Sequence, residues 1–209
     1  YPPHLSMEQC SSEQTAAYKS ALAARLLSEG TRTDQESVFV DLTGGFGVDF
    51  SFLASSLGMR SVYVERNRQL CDLATHNLPL LGLPEAEVVC ADSVAYASSM
   101  PFVSVVYLDP ARRDSHGSRT YGIEDCTPNL LELIPLLMSK SEVVMVKLSP
   151  MLDWHSAVKS VNARLTSASA SEVHIVSVDN ECKELLIVVT QGKKPFSLTC
   201  TNNAQVFTV

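Results

Sequence analysis

Four acidic residues, Asp41, Glu65, Asp92 and Asp109, each stand at or just past the end of a short apolar run, and the first opens a glycine-rich stretch, Asp41-Leu42-Thr43-Gly44-Gly45-Phe46-Gly47. Gly44, Gly45 and Gly47 let the backbone turn tightly and approach a ligand where a Cβ would collide. The helix expected next points its N-terminal N–H groups at the same place. Such a loop suits the cradling of a nucleotide-type cofactor; a glycine-rich structural turn is the alternative. A dinucleotide site would need G-x-G-x-x-G, and the position three beyond Gly47 is Phe50, a bulky residue where close helix packing needs a small one. A dehydrogenase is disfavoured on that count.

Strands must hold these acids in place. Val38, Phe39, Val40 and Leu42 read as a strand buried on both faces. A second run, MRSVYVERN at 59–67, carries Glu65 at its end, and a third, Val88 to Cys90, precedes Asp92. A fourth, Val103 to Leu108, is stopped by Asp109 and Pro110, since proline cannot donate to a sheet ladder. Helical patterns at 48–57, 68–79 and 127–138, a fifth strand at 142–148 and a short helix at 153–160 complete an alternation that implies a parallel sheet with helices on both faces. Residues 172–178 and 184–190 form an expected hairpin across Asp179 to Lys183. Ahead of the sheet, 11–29 reads as an amphipathic helix with Ser11 and Gln14 as a capping box. Residues 195–209 read as a further hairpin with Thr201 to Ala204 in its turn.

In their order, DLTGGFGVD, YVERN, EVVCADS and VVYLDPAR resemble the motifs of class I S-adenosylmethionine-dependent methyltransferases, with Thr43 where the first glycine of the loop usually stands. The segments look like a bacterial, Bacteroidetes-type group in which the catalytic core is followed by a THUMP-like or ferredoxin-like module. More distantly they are similar to a ribosomal-RNA guanine-N2 methyltransferase with D-A-T-A-G-L-G, V-E-R and Y-L-D-P in the corresponding places. The resemblance implies an α/β, Rossmann-like seven-stranded, mostly parallel sheet with helices on both faces and a C-terminal antiparallel hairpin. Its implied units are an N-terminal helical segment packing on the core (1–37), the methyltransferase domain (38–192), and a hairpin or the start of an accessory module (193–209).

The implied cofactor is S-adenosyl-L-methionine, held by Asp41, Thr43, Gly44, Gly45, Gly47, Glu65, Arg66, Asp92 and Ser93. Glu65 would accept hydrogen bonds from both ribose hydroxyls, because a carboxylate offers two oxygens to a vicinal diol. Asp92 would take the adenine amino group; it reads equally as a helix N-cap. The implied catalytic pair is Asp109 and the Pro110 carbonyl, which accept hydrogen bonds from a flat amine and align its lone pair with the methyl group. The family motif (D/N/S)-P-P-(Y/F/W) reads D-P-A-R here, and Arg112 can stack on a base through its guanidinium plane. The implied substrate is an amino group of a base in ribosomal or transfer RNA, in the cytoplasm. A protein or small-molecule methyltransferase and a non-catalytic S-adenosylmethionine-binding protein are the alternatives. A 5-methylcytosine enzyme is disfavoured, because its nucleophile sits in a Pro-Cys pair and the chain has none.

Residues 111–129 carry little apolar pattern, and Arg112, Arg113 and Arg119 make them locally basic in a chain of net charge −7, as in a phosphate-contacting loop; a solvated loop is the plainer reading. His116 reads as an exposed loop residue. Lys147, Ser149 and Pro150 border the same region, with Lys147 open to the simpler reading of a lysine snorkelling from a strand end. At 209 residues and 45% hydrophobic content, the chain suffices for one well-filled domain. No apolar run approaches a membrane span or a secretion signal. Six cysteines without C-x-x-C or histidine partners at metal spacing read as reduced core thiols, not a metal site. A start at Tyr1 without Met suggests a piece of a longer protein.

Overall fold

The apolar runs become the centre of one sheet. The computed structural model describes residues 10–29, 37–112 and 123–209. Its elements are α1 (Glu13–Ser28), β1 (Val38–Asp41), α2 (Val48–Leu57), β2 (Arg60–Glu65), α3 (Arg68–Leu80), β3 (Glu87–Cys90), α4 (Ser93–Ser99) and β4 (Val103–Leu108). A short ladder of β5 (Ala111–Arg112) with β6 (Cys126–Thr127) follows, then α5 (Leu130–Lys140), β7 (Ser141–Leu148), α6 (Trp154–Asn162), β8 (Ala168–Val178), β9 (Glu181–Gln191), β10 (Ser197–Asn202) and β11 (Gln205–Thr208).

Among the described residues the main sheet has nine strands in the order β11-β10-β8-β9-β7-β4-β1-β2-β3. From β3 to β7 neighbouring strands run parallel, and β9 is antiparallel to β7 and β8. The chain leaves β1 toward β2 and β3 on one side and returns to β4 on the other. Strand order reverses between β1 and β4, where open α/β sheets form their ligand crevice at the carboxyl ends of the strands. Alternate residues feed two cores. Phe39, Tyr63, Val105 and Met145 pack with α1, α2 and α3, while Val40, Val64, Val106 and Val146 pack with α4, α5 and α6.

Several boundaries differ from the sequence expectation, each for a local reason. Ser12, not Ser11, caps α1 by accepting from Thr15 N at 3.2 Å, and Ser11 instead donates to Asp49 Oδ2 at 2.9 Å. The link between β8 and β9 shrinks from five residues to two, because Asp179 and Asn180 both adopt left-handed backbone (φ 53° and 64°), the geometry of a tight hairpin turn. Helix α5 starts at Leu130, where Asn129 Oδ1 accepts from Leu131 N at 3.1 Å. The seven expected strands are joined by β10 and β11, since β10 pairs in parallel with β8 from Ser197↔Glu172 to Asn202↔Ser177.

Helix α1 is fastened to the sheet by polar contacts. Tyr18 Oη and His174 Nδ1 are 2.8 Å apart, Arg25 pairs with Glu172, and Lys19, fully buried, donates to both oxygens of Glu184 at 2.7 Å. Lys19 Nζ also donates to Ser11 Oγ at 3.0 Å and lies 3.2 Å from Asp49 Oδ1, the latter a Coulombic contact without hydrogen-bond alignment. Burial pushes the Glu184 carboxyl up, and Lys19 opposes that. Removing one member of such a pair leaves a buried charge uncompensated. We expect Lys19→Met to lose about 3–5 kcal/mol in chemical denaturation, and Lys19→Met/Glu184→Leu to regain much of it. A loss below about 1 kcal/mol would mean the pair behaves as a surface salt bridge.

Candidate functional site

The reversal point opens into a cleft of about 690 Å³, lined by the ends of β1, β2 and β4, the loop before α2, and the starts of α2, α4 and α5. Asp41, Thr43, Gly44, Gly45, Glu65, Arg66, Asp92, Ser93 and Asp109 all reach it.

Asp41 builds the loop from beneath. Its Oδ1 accepts from Thr43 N at 2.8 Å, a turn that aspartate forms with its own backbone two residues on. The side chain is buried, so its carboxyl is pushed well above the ordinary range; the Thr43 N–H opposes this, and Asp49 and Asp109 add to it. The Thr43 hydroxyl donates to Asp41 Oδ1 at 3.4 Å and accepts from the Asp109 backbone N–H at 2.6 Å. A glycine at 43 could make neither side-chain bond. Threonine at this position therefore couples the glycine loop to the end of β4.

The glycines answer to the protein's own side chains as well as to any ligand. A Cβ on Gly44 would sit 2.2 Å from the Tyr63 ring, and the Tyr63 hydroxyl donates to the Gly45 carbonyl. Gly45 and Gly47 take φ values of 53° and 76°, which favour glycine. Gly47 forms the N-cap of α2 and does not line the cleft.

Glu65 is held by two backbone donors, Gly45 N on Oε2 at 3.0 Å and Asn67 N on Oε1 at 2.8 Å. Each carboxylate oxygen has a second lone pair to offer, so the fixed group suits a pair of adjacent hydroxyls. Asp92 caps α4, its Oδ1 accepting from Val94 N at 2.9 Å and Ala95 N at 3.1 Å, and lines the cleft as well. The Ser93 hydroxyl donates to the Leu42 carbonyl at 2.6 Å, tying α4 to the loop.

Asp109 Oδ2 pairs with Lys147 Nζ at 2.7 Å. Although 38% of the Asp109 side chain is exposed, surrounding protein still pushes its carboxyl up, against the pull of Lys147. Pro110 is buried and absent from the cleft lining, which leaves Asp109 as the presented group of the pair. Arg112 contributes backbone to the ladder with Cys126, while Arg113, His116 and Arg119 lie outside the described residues. The ends of the expected irregular loop are thus ordered as β5, β6 and the 3-10 turn Ile123–Asp125.

Sequence reasoning missed Cys10, Ser11, Asp49 and Tyr107, which also line the cleft. Tyr107 donates to Asp49 Oδ2 at 2.7 Å. The acidic residue in the first turn after Gly47 was the available signal for Asp49. The six cysteines form no disulfide and are not all in the core: Cys71 and Cys126 are buried, whereas Cys90 and Cys182 are exposed. Among the described residues no cluster of His, Cys, Asp and Glu is arranged for a metal, and no helix is long and apolar enough to cross a membrane.

No protein-family model matches the sequence, and no curated protein matches it. Solved structures do. A candidate methyltransferase from Porphyromonas gingivalis W83 superimposes with a TM-score of 0.78 and 30% identity over 100% of this chain. The chain has a methyltransferase fold. It spans only 50% of that larger protein. A candidate methyltransferase from Streptococcus mutans, in complex with SAH (S-adenosylhomocysteine), has a TM-score of 0.57 at 13% identity, covering 82% of this chain and 96% of its own. An rRNA methylase from Streptococcus thermophilus gives 0.54 at 17% identity, covering 82% and 95% respectively. At these identities the two streptococcal proteins speak for the fold alone.

The raised carboxyl of Asp41 gives a pH test of the loop. Its folded form retains a proton that the unfolded chain releases above about pH 4, so this contribution to stability is present below that pH and fades as pH rises toward the folded value. Asp41→Asn removes the titration while an amide oxygen still accepts from Thr43 N. Denaturation midpoints followed from pH 4 to 8 should fall less steeply for the variant than for the wild type. Parallel curves would show that Asp41 is not held in its protonated form.

Proposed function

We propose that the protein is an S-adenosylmethionine-dependent methyltransferase acting on an amino group of a base in RNA. One observation carries this reading: a loop with left-handed glycines, a carboxylate fixed by backbone donors at Glu65, and the Asp109 carboxylate all face one cleft at the reversal of strand order. The residues fit the cofactor chemically, since Glu65 offers paired oxygens to a ribose diol and Arg66, Asp92 and Ser93 line the stretch of cleft beside it. S-adenosylmethionine, when bound, supplies an activated methyl group. The chain's part is positional: Asp109 accepts a hydrogen bond from the acceptor amine and aims its lone pair, and the cleft restricts its approach.

An RNA acceptor is supported by the D-P-A-R sequence at 109–112 and by the arginines at 112, 113 and 119. The net charge of −7 is unfavourable to phosphate, and a basic THUMP-like or ferredoxin-like module elsewhere in a longer protein would supply the missing attraction. On this reading 38–192 is the catalytic domain, 1–37 supports it, and the protein works in the cytoplasm. The same acidity favours the second reading, a protein or small-molecule acceptor; RNA from cells lacking the protein, assayed for new methyl groups by mass spectrometry, separates the two.

Calorimetric titration with S-adenosylhomocysteine tests the cofactor half. Glu65→Ala should weaken binding by about 1–3 kcal/mol, the worth of charge-assisted hydrogen bonds to hydroxyls; unchanged affinity would remove Glu65 from the ribose site. For the acceptor half, Asp109→Ala should slow methyl transfer by roughly 100-fold or more and leave S-adenosylhomocysteine affinity nearly constant, with Asp109→Asn milder because an amide oxygen still accepts. Full transfer by Asp109→Ala would point to an oxygen or carbon acceptor.

A further inference from the structure

We infer that Lys147 is a positioning residue of this site, whose ammonium holds the Asp109 carboxylate in one orientation as an ionised hydrogen-bond acceptor. The inference rests on the reading of Asp109 as the group that receives the acceptor amine. Its basis is the sheet itself. Strands β4 and β7 run parallel with Tyr107 opposite Met145 and Leu108 opposite Val146. One step further along this register brings Asp109 and Lys147 side by side at the cleft end of the sheet. The pairing is therefore fixed by backbone geometry rather than by the reach of a flexible side chain.

Two contacts then define Asp109. Its backbone N–H is held by the Thr43 hydroxyl at 2.6 Å, and its Oδ2 by Lys147 Nζ at 2.7 Å. The two side chains differ in exposure: Lys147 is 13% exposed and absent from the cleft lining, whereas Asp109 is 38% exposed and lines it. Lys147 thus stands behind the carboxylate and acts through it. A lysine so enclosed, bonded to the one carboxylate that closes β4, does more than snorkel from a strand end.

The charges around the pair show why a cation is needed there. Among the described residues Asp109 feels Asp41 from the end of β1, Asp49 from α2, Lys19 from α1 and the Cys10 thiol beside the cleft, while Glu184 on β9 acts on Lys147. Burial and Asp49 both favour the protonated form of Asp109, and Lys147 is the close cation that opposes them. A protonated carboxyl would present a donor where the amine needs an acceptor. Lys147 itself stays charged: burial draws its ammonium down, and Asp109 and Asp49 outweigh that.

The test uses the whole chain and has an arm that needs no substrate. In protein labelled with 13C at aspartate carboxyls, with the Asp109 signal assigned by its loss in Asp109→Asn, the Asp109 midpoint in Lys147→Met should lie at least about one pH unit above wild type, and Lys147→Arg should restore it. Should Lys147→Met fail to fold, Lys147→Gln makes the same comparison, keeping a donor without the charge. An unmoved midpoint in a folded, charge-free variant overturns the inference.

In the activity arm, total RNA from cells lacking the protein is the methyl acceptor. Lys147→Met should lower kcat about 10- to 100-fold, leave S-adenosylhomocysteine affinity within about twofold, and shift the acid limb of the kcat profile to higher pH. Added to Asp109→Asn, where no charge remains to hold, it should cost little more. Additive losses would make Lys147 merely structural. Full activity in Asp109→Ala would instead overturn the role of Asp109 itself, and the carboxyl titration would still report on the pair.

Discussion

The hydrogen bond from the Asp109 backbone N–H to the Thr43 hydroxyl sets the spacing on which the rest of the site depends. It spans the gap between β1 and β4, where the chain has gone out to one side of the sheet and returned on the other. Backbone hydrogen bonds fix these strands as far as Leu42, whose N–H donates to the Tyr107 carbonyl at 3.0 Å. Beyond them the loop and the strand end are free to diverge unless something joins them. Thr43 does so while also anchored to Asp41, so a single side chain ties the glycine loop to Asp109.

Burying charge is the recurring cost of this arrangement. Asp41 lies under the loop with its carboxyl pushed toward the protonated form, Asp49 lies beside it and Asp109 at its mouth, three of the six acidic side chains that line the cleft. Lys147 answers Asp109 and Lys19 answers Asp49, with Glu184 completing the buried set. Helix α1 thereby becomes a support of the cleft: its lysine compensates a carboxylate at the start of α2, and Ser11 just before it reaches the same group. Paired charges of this kind stabilise only weakly relative to apolar packing, but the loss of one partner is expensive. They hold a geometry more than they add to stability.

Much of this was legible in the sequence because it depends on local pattern. The continuous apolar runs gave the parallel strands, and proline at 110 gave the end of β4. The acids at strand ends pointed to one cleft, since parallel strands present their carboxyl ends on one side. What stayed hidden depends on contacts between distant residues. Lys19 falls inside the expected amphipathic helix, and nothing local announces that Glu184, 165 residues away, will pair with it. Tyr63 is one residue of the apolar run at 59–67 with no local mark of its own, yet its ring dictates glycine at 44. Lys147 was ambiguous for the same reason, because its partner is set by the register of β4 against β7 and not by its neighbours in the chain.

A crystal structure of the protein with S-adenosylhomocysteine bound would test the shared-cleft assignment most directly. The expected result has both ribose hydroxyls within hydrogen-bond distance of the Glu65 carboxylate, the backbone of Gly44 and Gly45 against the ligand, and its sulfur turned toward Asp109. A ligand seated elsewhere, or one in this cleft with Glu65 bonded only to Gly45 and Asn67, would contradict it.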